Sequence, residues 1–591
     1  MVYPEFPPSF WSFDEAVRLM GLKASMPPTG LATVAAMLPE DKFEVMPIVD
    51  LNVEPLTEEV LQSADVVMLS AMIVQKESLR SVIARAKKAG KTVVVGGPYP
   101  TSYREEVEAM DADHLVLNEA EQTLAPFVTD FLRSKAHKIY DEHSVLSRSA
   151  ISLTKEGKPL IEKTPVPRWD LLKLHLYSSL AIQFSRGCPF DCEFCDITAL
   201  YGHQSRTKTP EQMIAELEAI YVTGWRGSIF IVDDNFIGNK TAVRKFLPIL
   251  VDWQKKHRFP FSFFTEASVD LANDNMTEVR MRMVEAGFRD IFCGIESTNP
   301  EVLARMNKGQ NRGDLGNKVR ILQRSGLEVT AGFIIGNDDD RPEVFDGLFE
   351  FIQENGVVIP MAGLLTALRG TKLYNRLRDE GRLKAESSGN NTHRFKFNFE
   401  PKLDEQFLIE NYVALLERLF SAKNYYARCW TLWRNRGKHP RVGNINGNWM
   451  RATRVVLYRN LIRIPNWHFA RFIFGTLFTH PTSMTGAVTQ AVKFEHFSRI
   501  TKAAVSAHRY PEKVETFAEE FKHRLDKLKG DMTRRLEEAQ ALERRYATKA
   551  LKYYRSLDPH FREDAWRALV RLRGQLCSHV EAFRKTNNMA V

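Results

Sequence analysis

Arg186-Gly187-Cys188-Pro189-Phe190-Asp191-Cys192-Glu193-Phe194-Cys195 places three of the six cysteines within eight residues, spaced C-x3-C-x2-C. The largely apolar run Leu180 to Phe184 leads into it and reads as a buried strand. Thiolates so spaced on one loop can face a single inorganic cluster. Iron–sulfur clusters commonly take four cysteines. Three leave one iron of a 4Fe–4S cluster without a protein ligand, and an open position on a metal site is where chemistry occurs. Zinc wants four ligands, commonly as two C-x2-C pairs. No second pair exists, because Cys293, Cys429 and Cys577 are isolated and read as core residues.

Working outward, 591 residues are too many for one core and suggest three or four domains. A hydrophobic content of 44% with 26% charge is ordinary for a globular protein. Few cysteines, half of them clustered, suit a reducing cytosol. Met1 to Ser12 lacks a basic region followed by an apolar core, so no signal peptide is expected. No apolar run of about 18 residues occurs, so no spanning helix is expected. The net charge is +9, with the excess mostly after residue 420. That bias suits an anionic membrane surface, nucleic acid, an acidic protein or a solvated basic face. The expected location is cytoplasmic, with membrane association as a variant, and no nucleic acid partner is expected.

Residues 27–133 alternate strands and helices. Strands are expected at Phe43 to Val49, Asp65 to Ala71, Lys91 to Val95 and His114 to Leu117, with a helix at Leu79 to Lys88. This order implies an α/β, Rossmann-like parallel sheet, here taken as residues 1–138. Only Met1-Val2-Tyr3 precedes Pro4, so the first strand is very short or the chain start is trimmed. Pro7 to Pro28 is expected to loop over the ligand face. Ligands in such sheets sit beyond the carboxyl ends of the strands. The candidate contacts are Ser70 and Gln75, then Gly96, Gly97 and Pro98, then Glu119 and Glu121. Glycines at 96 and 97 let backbone approach a ligand closely. No G-x-G-x-x-G loop for a dinucleotide is present.

Residues 139–175 are polar, with Pro159, Pro165 and Pro167, and read as a linker. From 176 to 385 the alternation resumes. Strands are expected at Leu180 to Phe184, Ser228 to Val232, Phe261 to Ala267, Asp290 to Ile295, Glu328 to Ile335 and Val357 to Leu365. Helices are expected at 210–223, 239–256, 276–286, 313–325 and 342–355. Six such units make a partial (β/α)6 barrel, whose chemistry gathers at the carboxyl ends of the strands.

The C-x3-C-x2-C loop after a strand resembles the radical S-adenosylmethionine (SAM) superfamily. The preceding Rossmann-like domain resembles the cobalamin-binding domain of its cobalamin-dependent members. Closer likeness lies in Pro27-Pro28-Thr29-Gly30-Leu31, Gly96-Gly97-Pro98, Cys195-Asp196-Ile197, Leu200-Tyr201-Gly202 and Lys208-Thr209-Pro210-Glu211-Gln212. It continues through Val232-Asp233-Asp234-Asn235-Phe236-Ile237-Gly238-Asn239 and Phe292-Cys293-Gly294-Ile295-Glu296. Together these resemble the subfamily containing the hopanoid C-2 methylase, over roughly residues 3–400. The resemblance implies that Cys188, Cys192 and Cys195 hold a 4Fe–4S cluster and that Phe194 shields it. It implies SAM contacts at Glu266, Ser268, Gly294, Glu296, Ser297 and Ile334, with Arg305 and Lys308 neutralising the SAM carboxylate. Asp234 and Asn235 are candidates to face substrate. It implies cobalamin over the first sheet. The D-x-H-x-x-G signature is absent, so no histidine lower ligand is expected.

The implied activity is methylation of a carbon through a 5′-deoxyadenosyl radical and methylcobalamin. The substrate class stays open among small molecules, lipids and peptides, and an external electron donor is required. One alternative is a cobalamin-dependent radical SAM enzyme that cyclises or rearranges without methyl transfer. Another is a non-catalytic ligand-binding protein with an idle cysteine triad. Residues 386–510 are expected as a helical cap over the barrel mouth. Its stretch 430–480 interleaves Trp and Phe with Arg, suited to peripheral membrane contact. Residues 511–591 are expected as a charged helical extension with few apolar anchors between 511 and 557.

Overall fold

The computed structural model describes residues 1–147, 151–437, 447–529 and 531–588. The chain forms two units: Met1–Thr392 with Lys396–His496, and His393–Phe395 with Phe497–Val591.

The first unit holds two six-stranded parallel sheets. One consists of β1 (Val2–Tyr3), β2 (Val49–Asp50), β3 (Val66–Ser70), β4 (Thr92–Gly96), β5 (His114–Val116) and β6 (Ile139–Tyr140), in the order β2-β1-β3-β4-β5-β6. The valine runs of β3 and β4 suit strands buried on both sides. Helix Lys76–Lys88 packs on them through Leu79, Val82, Ile83 and Ala86, at helical spacing. Although β1 has only two residues, Val2 pairs with both Val49 and Leu69, one strand in from the sheet edge.

The strand expected at Phe43 to Val49 is not formed. Only Val49–Asp50 pairs, since the Ile48 amide donates instead to the Leu171 carbonyl. The expected linker also starts late. Ile139–Tyr140 pairs with β5 and completes the sheet edge.

The second sheet carries the cysteines. Its strands are β7 (Ser179–Ile182), β10 (Ser228–Ile231), β11 (Ser262–Glu266), β12 (Phe288–Glu296), β13 (Glu328–Ile335) and β14 (Pro360–Leu364), ordered β14-β13-β12-β11-β10-β7. A two-residue hairpin pair, β8 (Ser185–Arg186) with β9 (Arg206–Thr207), frames the cysteine loop. The helices follow the expected spans closely. Helix Pro210–Val222 starts where Thr209 and Gln212 cap each other reciprocally, with Pro210 at the first position. Outward residues such as Ile229, Phe263, Ile291 and Phe333 are buried. The inner face instead carries Phe230, Phe264, Glu266, Phe292 and Gly294, by strand alternation.

Two expectations about the barrel's covering are corrected. The 7–28 segment does not lie over the Rossmann ligand face. Its aromatic side chains go to the barrel: Trp11 meets Phe292 at 5.4 Å, and Phe10 packs on Phe420. The C-terminal helices, for their part, reach the opposite end of the barrel from its mouth. Lys493 pairs with Asp290 and Glu328 at the amino ends of β12 and β13, and Gln490 donates to Glu328. In the second unit, helices Tyr510–Asp526, Met532–Ser556 and Glu563–Asn588 share a core around Phe517, Phe521, Tyr546, Leu572 and Leu576. The stretch 511–557 therefore has more apolar anchors than expected.

The two sheets of the first unit are joined by a buried ionic junction. Arg186 on β8 reaches Glu119 and Glu121, each at 2.9 Å. Arg206 on β9 reaches Glu119 at 2.9 Å. Glu121 also accepts from Thr164 Oγ1. Burial alone would raise the Glu121 pKa, but the Arg186 charge outweighs it and holds the carboxyl down at about 2.

Three outcomes follow for stability. Phe184 is fully buried and stacks on Phe246 at 5.0 Å just before the cysteine loop. Phe184→Ala should cost about 3–5 kcal/mol, read by urea denaturation. Arg186→Met leaves buried Glu121 without its ion-pair partner and Glu119 with Arg206 alone, and should cost about 3–5 kcal/mol. The Glu121 pKa is depressed from 4.5, so its contribution is complete above that pH and fades as pH falls toward about 2. Glu121→Gln should flatten the acid limb of stability in that window, and an unchanged acid limb would remove Glu121 from the junction.

Candidate active site at the barrel mouth

The cysteine loop is strung between fixed points. Asp233, at the end of β10, accepts from the Phe184 amide at 2.8 Å and from Ser185 Oγ at 2.6 Å. Asp234 accepts from the Gly187 amide at 3.1 Å. Gly187 has φ +86, and a Cβ there would sit 2.7 Å from the Gln204 carbonyl, so only glycine fits this turn. On the far side Glu193 is gripped by Arg376, and its amide donates to the Met306 carbonyl. Asp191 pairs with Lys372 and accepts from Asn307.

The three thiols are partly buried and free. Burial raises the pKa of Cys188 and Cys195, while Lys308 acts to lower both. Cys192 is electrostatically coupled to the other two and lies 3.6 Å from Gln310 Nε2. Among the described residues no group of His, Cys, Asp or Glu closes on a single metal ion. A cubane takes its thiolates at separate iron corners, so this donor set of three soft sulfurs beside one cation fits an iron–sulfur cluster. Binding would release the thiol protons.

Beside the thiols lies a cluster of buried carboxyl groups. Glu296 sits at the end of β12 with φ +64, a strained conformation for a side-chain-bearing residue. It pairs with Lys308 at 2.7 Å, both nearly buried. Burial alone would lower the Lys308 pKa, but Glu296 and the thiols of Cys192 and Cys195 raise it. The Glu266 carboxyl has no hydrogen-bond or ion-pair partner among the described residues, although its backbone carbonyl accepts from the Phe236 amide. Burial, then Asp234 and Glu296, push it up to about 8. Burial pushes Asp234 to about 6 and raises Asp196 as well. An acidic cluster with one buried ammonium matches SAM, which carries a sulfonium, an amino group and a carboxylate.

The Rossmann loops face this mouth. Gly97 has φ +100, and a Cβ there would lie 2.6 Å from Ser70 Oγ. Pro98 starts the short helix Pro98–Ser102. Gly389 packs so closely on the Ile73–Val74 turn that a Cβ would come within 2.3 Å. Arg369 pairs with Glu105 at 2.9 Å. Glu119 Oε1 is buried without a hydrogen-bond partner, next to the junction. These loops contain no histidine. A tight backbone cradle with an orphaned polar atom fits a corrin held without a histidine from this sheet.

Several expected contacts are corrected. Gln75 does not face a ligand: its side chain donates to the Pro4 carbonyl and accepts from the Met72 amide. Glu121 is engaged by Arg186, and Glu119 by Arg186 and Arg206 through Oε2 alone, which leaves only Glu119 Oε1 without a protein partner. Arg305 is half-exposed and pairs with Asp339 at the pocket that Glu193 and Phe194 also line, while Lys308 is the buried cation paired with Glu296. Ser297 is buried and accepts from the Asn299 amide, shaping the turn.

Ser268 and Asn235 bond to each other, so neither is simply turned to a substrate. Gly294 lies against Glu296 and Lys308. Ile334 is on the inner face of β13, its carbonyl accepting from Asn337. Phe194 lies 5.5 Å below the Lys308 ammonium.

Three positioning residues were missed. Asn311 donates to the carbonyls of Gly294 and Ile295, and Gln310 meets Cys192. Arg186 was quoted only as part of the loop. The spacing of Gln310 and Asn311 from Glu296 carries no local signal, because the loop that returns them is set by tertiary packing.

Comparison with known proteins agrees with this geometry. Residues 17–128 match the B12 binding domain, residues 182–352 the Radical SAM superfamily, and residues 371–509 a domain of unknown function (DUF4070). The chain is 39% identical to an uncharacterized methyltransferase of Synechocystis sp. over 84% of this chain and 90% of that one. It is 36% identical to the hopanoid C-2 methylase of Rhodopseudomonas palustris, over 65% of this chain and 70% of that one.

Its fold is similar to the cobalamin-dependent SAM radical enzyme OxsB with aqua-cobalamin and SAM bound (TM-score 0.53, 15% identity, 89% of this chain and 82% of that one). It is also similar to the radical SAM methyltransferase TsrM from Kitasatospora setae with cobalamin and a 4Fe–4S cluster (TM-score 0.51, 14% identity, 80% of this chain and 96% of that one). The cofactors are a 4Fe–4S cluster, SAM and cobalamin. The chain is an enzyme that belongs to the cobalamin-dependent radical SAM methyltransferases, in the subfamily resembling the hopanoid C-2 methylase.

Proposed function

We propose that this enzyme methylates a carbon of an apolar, lipid-like substrate held inside the barrel. The observation that carries the methyl-transfer reading is the orientation of the two sheets. The carboxyl-end loops of the Rossmann sheet meet the cysteine loop through Arg186, Glu119 and Glu121. When bound, the cluster, SAM and cobalamin supply hydrogen-atom abstraction from carbon and delivery of a methyl group.

The protein's own part is positioning. Cys188, Cys192 and Cys195 hold the cluster, and Asp233 and Asp234 fix the loop that carries them. Lys308 would pair with the SAM carboxylate, while Glu266 and Glu296 would take its cationic and hydroxyl groups. On the Rossmann side, Ser70, Gly96, Gly97 and Pro98 form the backbone cradle for the corrin.

What supports an apolar substrate is the inner face of the barrel below these groups. Phe230 and Phe264 stack there with centroids 4.4 Å apart, and Phe292 lies on the same face against Trp11. Such a lining excludes water and binds by burial of apolar surface rather than by polar recognition.

Anaerobic incubation with methyl-labelled SAM and a lipid extract should place label in the lipid fraction. SAM cleavage without labelled product would favour the non-methylating alternative, and no cleavage at all would leave a ligand-binding protein. Cys192→Ala should abolish the iron–sulfur absorbance after anaerobic reconstitution, and retention at normal stoichiometry would remove it as a ligand. The paired variant Lys308→Met with Glu296→Gln avoids a lone buried charge. Its SAM affinity by calorimetry should fall at least about tenfold, or about 1.4 kcal/mol.

A further inference from the structure

We propose that the helical segment 458–478 docks this enzyme on the surface of an anionic lipid bilayer. The proposal deepens the apolar-substrate reading, but its test does not depend on catalysis. Helix Trp467–Thr479 is a fixed platform. Asn466 caps it by accepting from the amides of His468 and Phe469. Phe469, Phe472, Ile473 and Thr476 are buried on one side, with Phe472 against Tyr426 and Trp433. Gly475 lets Trp430 approach so closely that a Cβ would lie 2.6 Å away.

The opposite side is left uncovered. Trp467, Arg471, Phe474 and Phe478 follow one another at spacings of four, three and four, which aligns them in one stripe. Trp467 is 74% exposed and Phe478 82%. The preceding turn adds Ile462 and Ile464, 69% and 72% exposed. Large apolar side chains this bare, on adjacent elements, mark an interaction surface rather than scattered surface residues.

Charge selects the occupant. Residues 418–494 contain no Asp or Glu but thirteen Lys or Arg. Arg454, Arg463 and Arg471 are exposed and have no ion pair among the described residues. Arg459 is held by Glu15 and Glu495 and does not count. A symmetric contact with a second copy would set Arg463 and Arg471 against a patch of the same sign. Nucleic acid would be matched by the arginines but not by the bare Ile462, Ile464 and Leu477. An anionic bilayer accepts both features, the aromatic and aliphatic tips entering the headgroup boundary and the arginines meeting phosphate. No helix among the described residues is long and apolar enough to cross a membrane, so the contact is peripheral.

The test uses the full chain in vesicle flotation. It should float with vesicles containing phosphatidylglycerol, float much less with phosphatidylcholine alone, and be released by high salt. The exposed-site double variant Trp467→Ser with Phe478→Ser should reduce flotation at least about tenfold, with circular dichroism unchanged. Arg463→Glu with Arg471→Glu should do the same at low salt. Absence of flotation with any vesicle would overturn the proposal. So would flotation insensitive to both variants, or a Trp467 and Phe478 effect seen only as loss of a dimer in sedimentation or of RNA binding. A catalytically inactive protein that still floats would count against the substrate reading alone.

Discussion

Arg186 is the constraint on which the site depends. It lies one residue from the left-handed turn at Gly187 and two from Cys188. Its guanidinium is taken up by carboxylates at the start of the Rossmann helix Ala120–Leu132. A buried guanidinium is tolerated only where such partners replace water, and its planar fork limits how they can approach. One side chain thus sets the cysteine loop relative to the other sheet. Two cofactor sites whose chemistry must meet are aligned by a contact at their border rather than by domain packing at a distance.

Around that junction, charge is laid out unevenly. The barrel mouth gathers Asp196, Asp234, Glu266 and Glu296, several with pKa values raised because water is scarce and the groups repel one another. Lys308 is the buried cation among them. Such an arrangement is costly when empty and is relieved by a ligand bearing positive charge at one end and a carboxylate at the other. Burial likewise raises the pKa of the Cys188 and Cys195 thiols, and cluster binding would displace their protons. Polar groups end within the upper layer of the barrel, and Phe230, Phe264 and Phe292 take over below.

The C-terminal helices follow a different logic from the one their composition suggested. Lys493 and Gln490 close the amino end of the barrel against Asp290 and Glu328, so the mouth stays with the Rossmann loops. Helix Trp467–Thr479 buries one face against Tyr426 and Trp433 and keeps the other bare. Aromatic and basic residues interleaved in sequence thereby separate into a buried aromatic cluster around Tyr426, Trp433 and Phe472 and an exposed apolar and basic stripe.

The sequence by itself determined the two parallel sheets, nearly every strand and helix of the barrel, and the cysteine triad. Those features are local: valine runs, helix periodicity, the Thr209–Gln212 cap and three thiols on one loop. Only the tertiary structure decided which polar residues reach the site. Glu119, Glu121, Gln75, Ser297 and Arg305 had the right chemistry at the right strand ends, yet each meets a protein partner first. Gln310 and the ion-pairing role of Arg186 were illegible because their partners lie far away in the chain, and Asn311 because only the folded loop returns it to the end of β12. A side chain's type and place along a strand are set by its own neighbourhood, but whether it stays free for a ligand depends on what the rest of the fold brings against it.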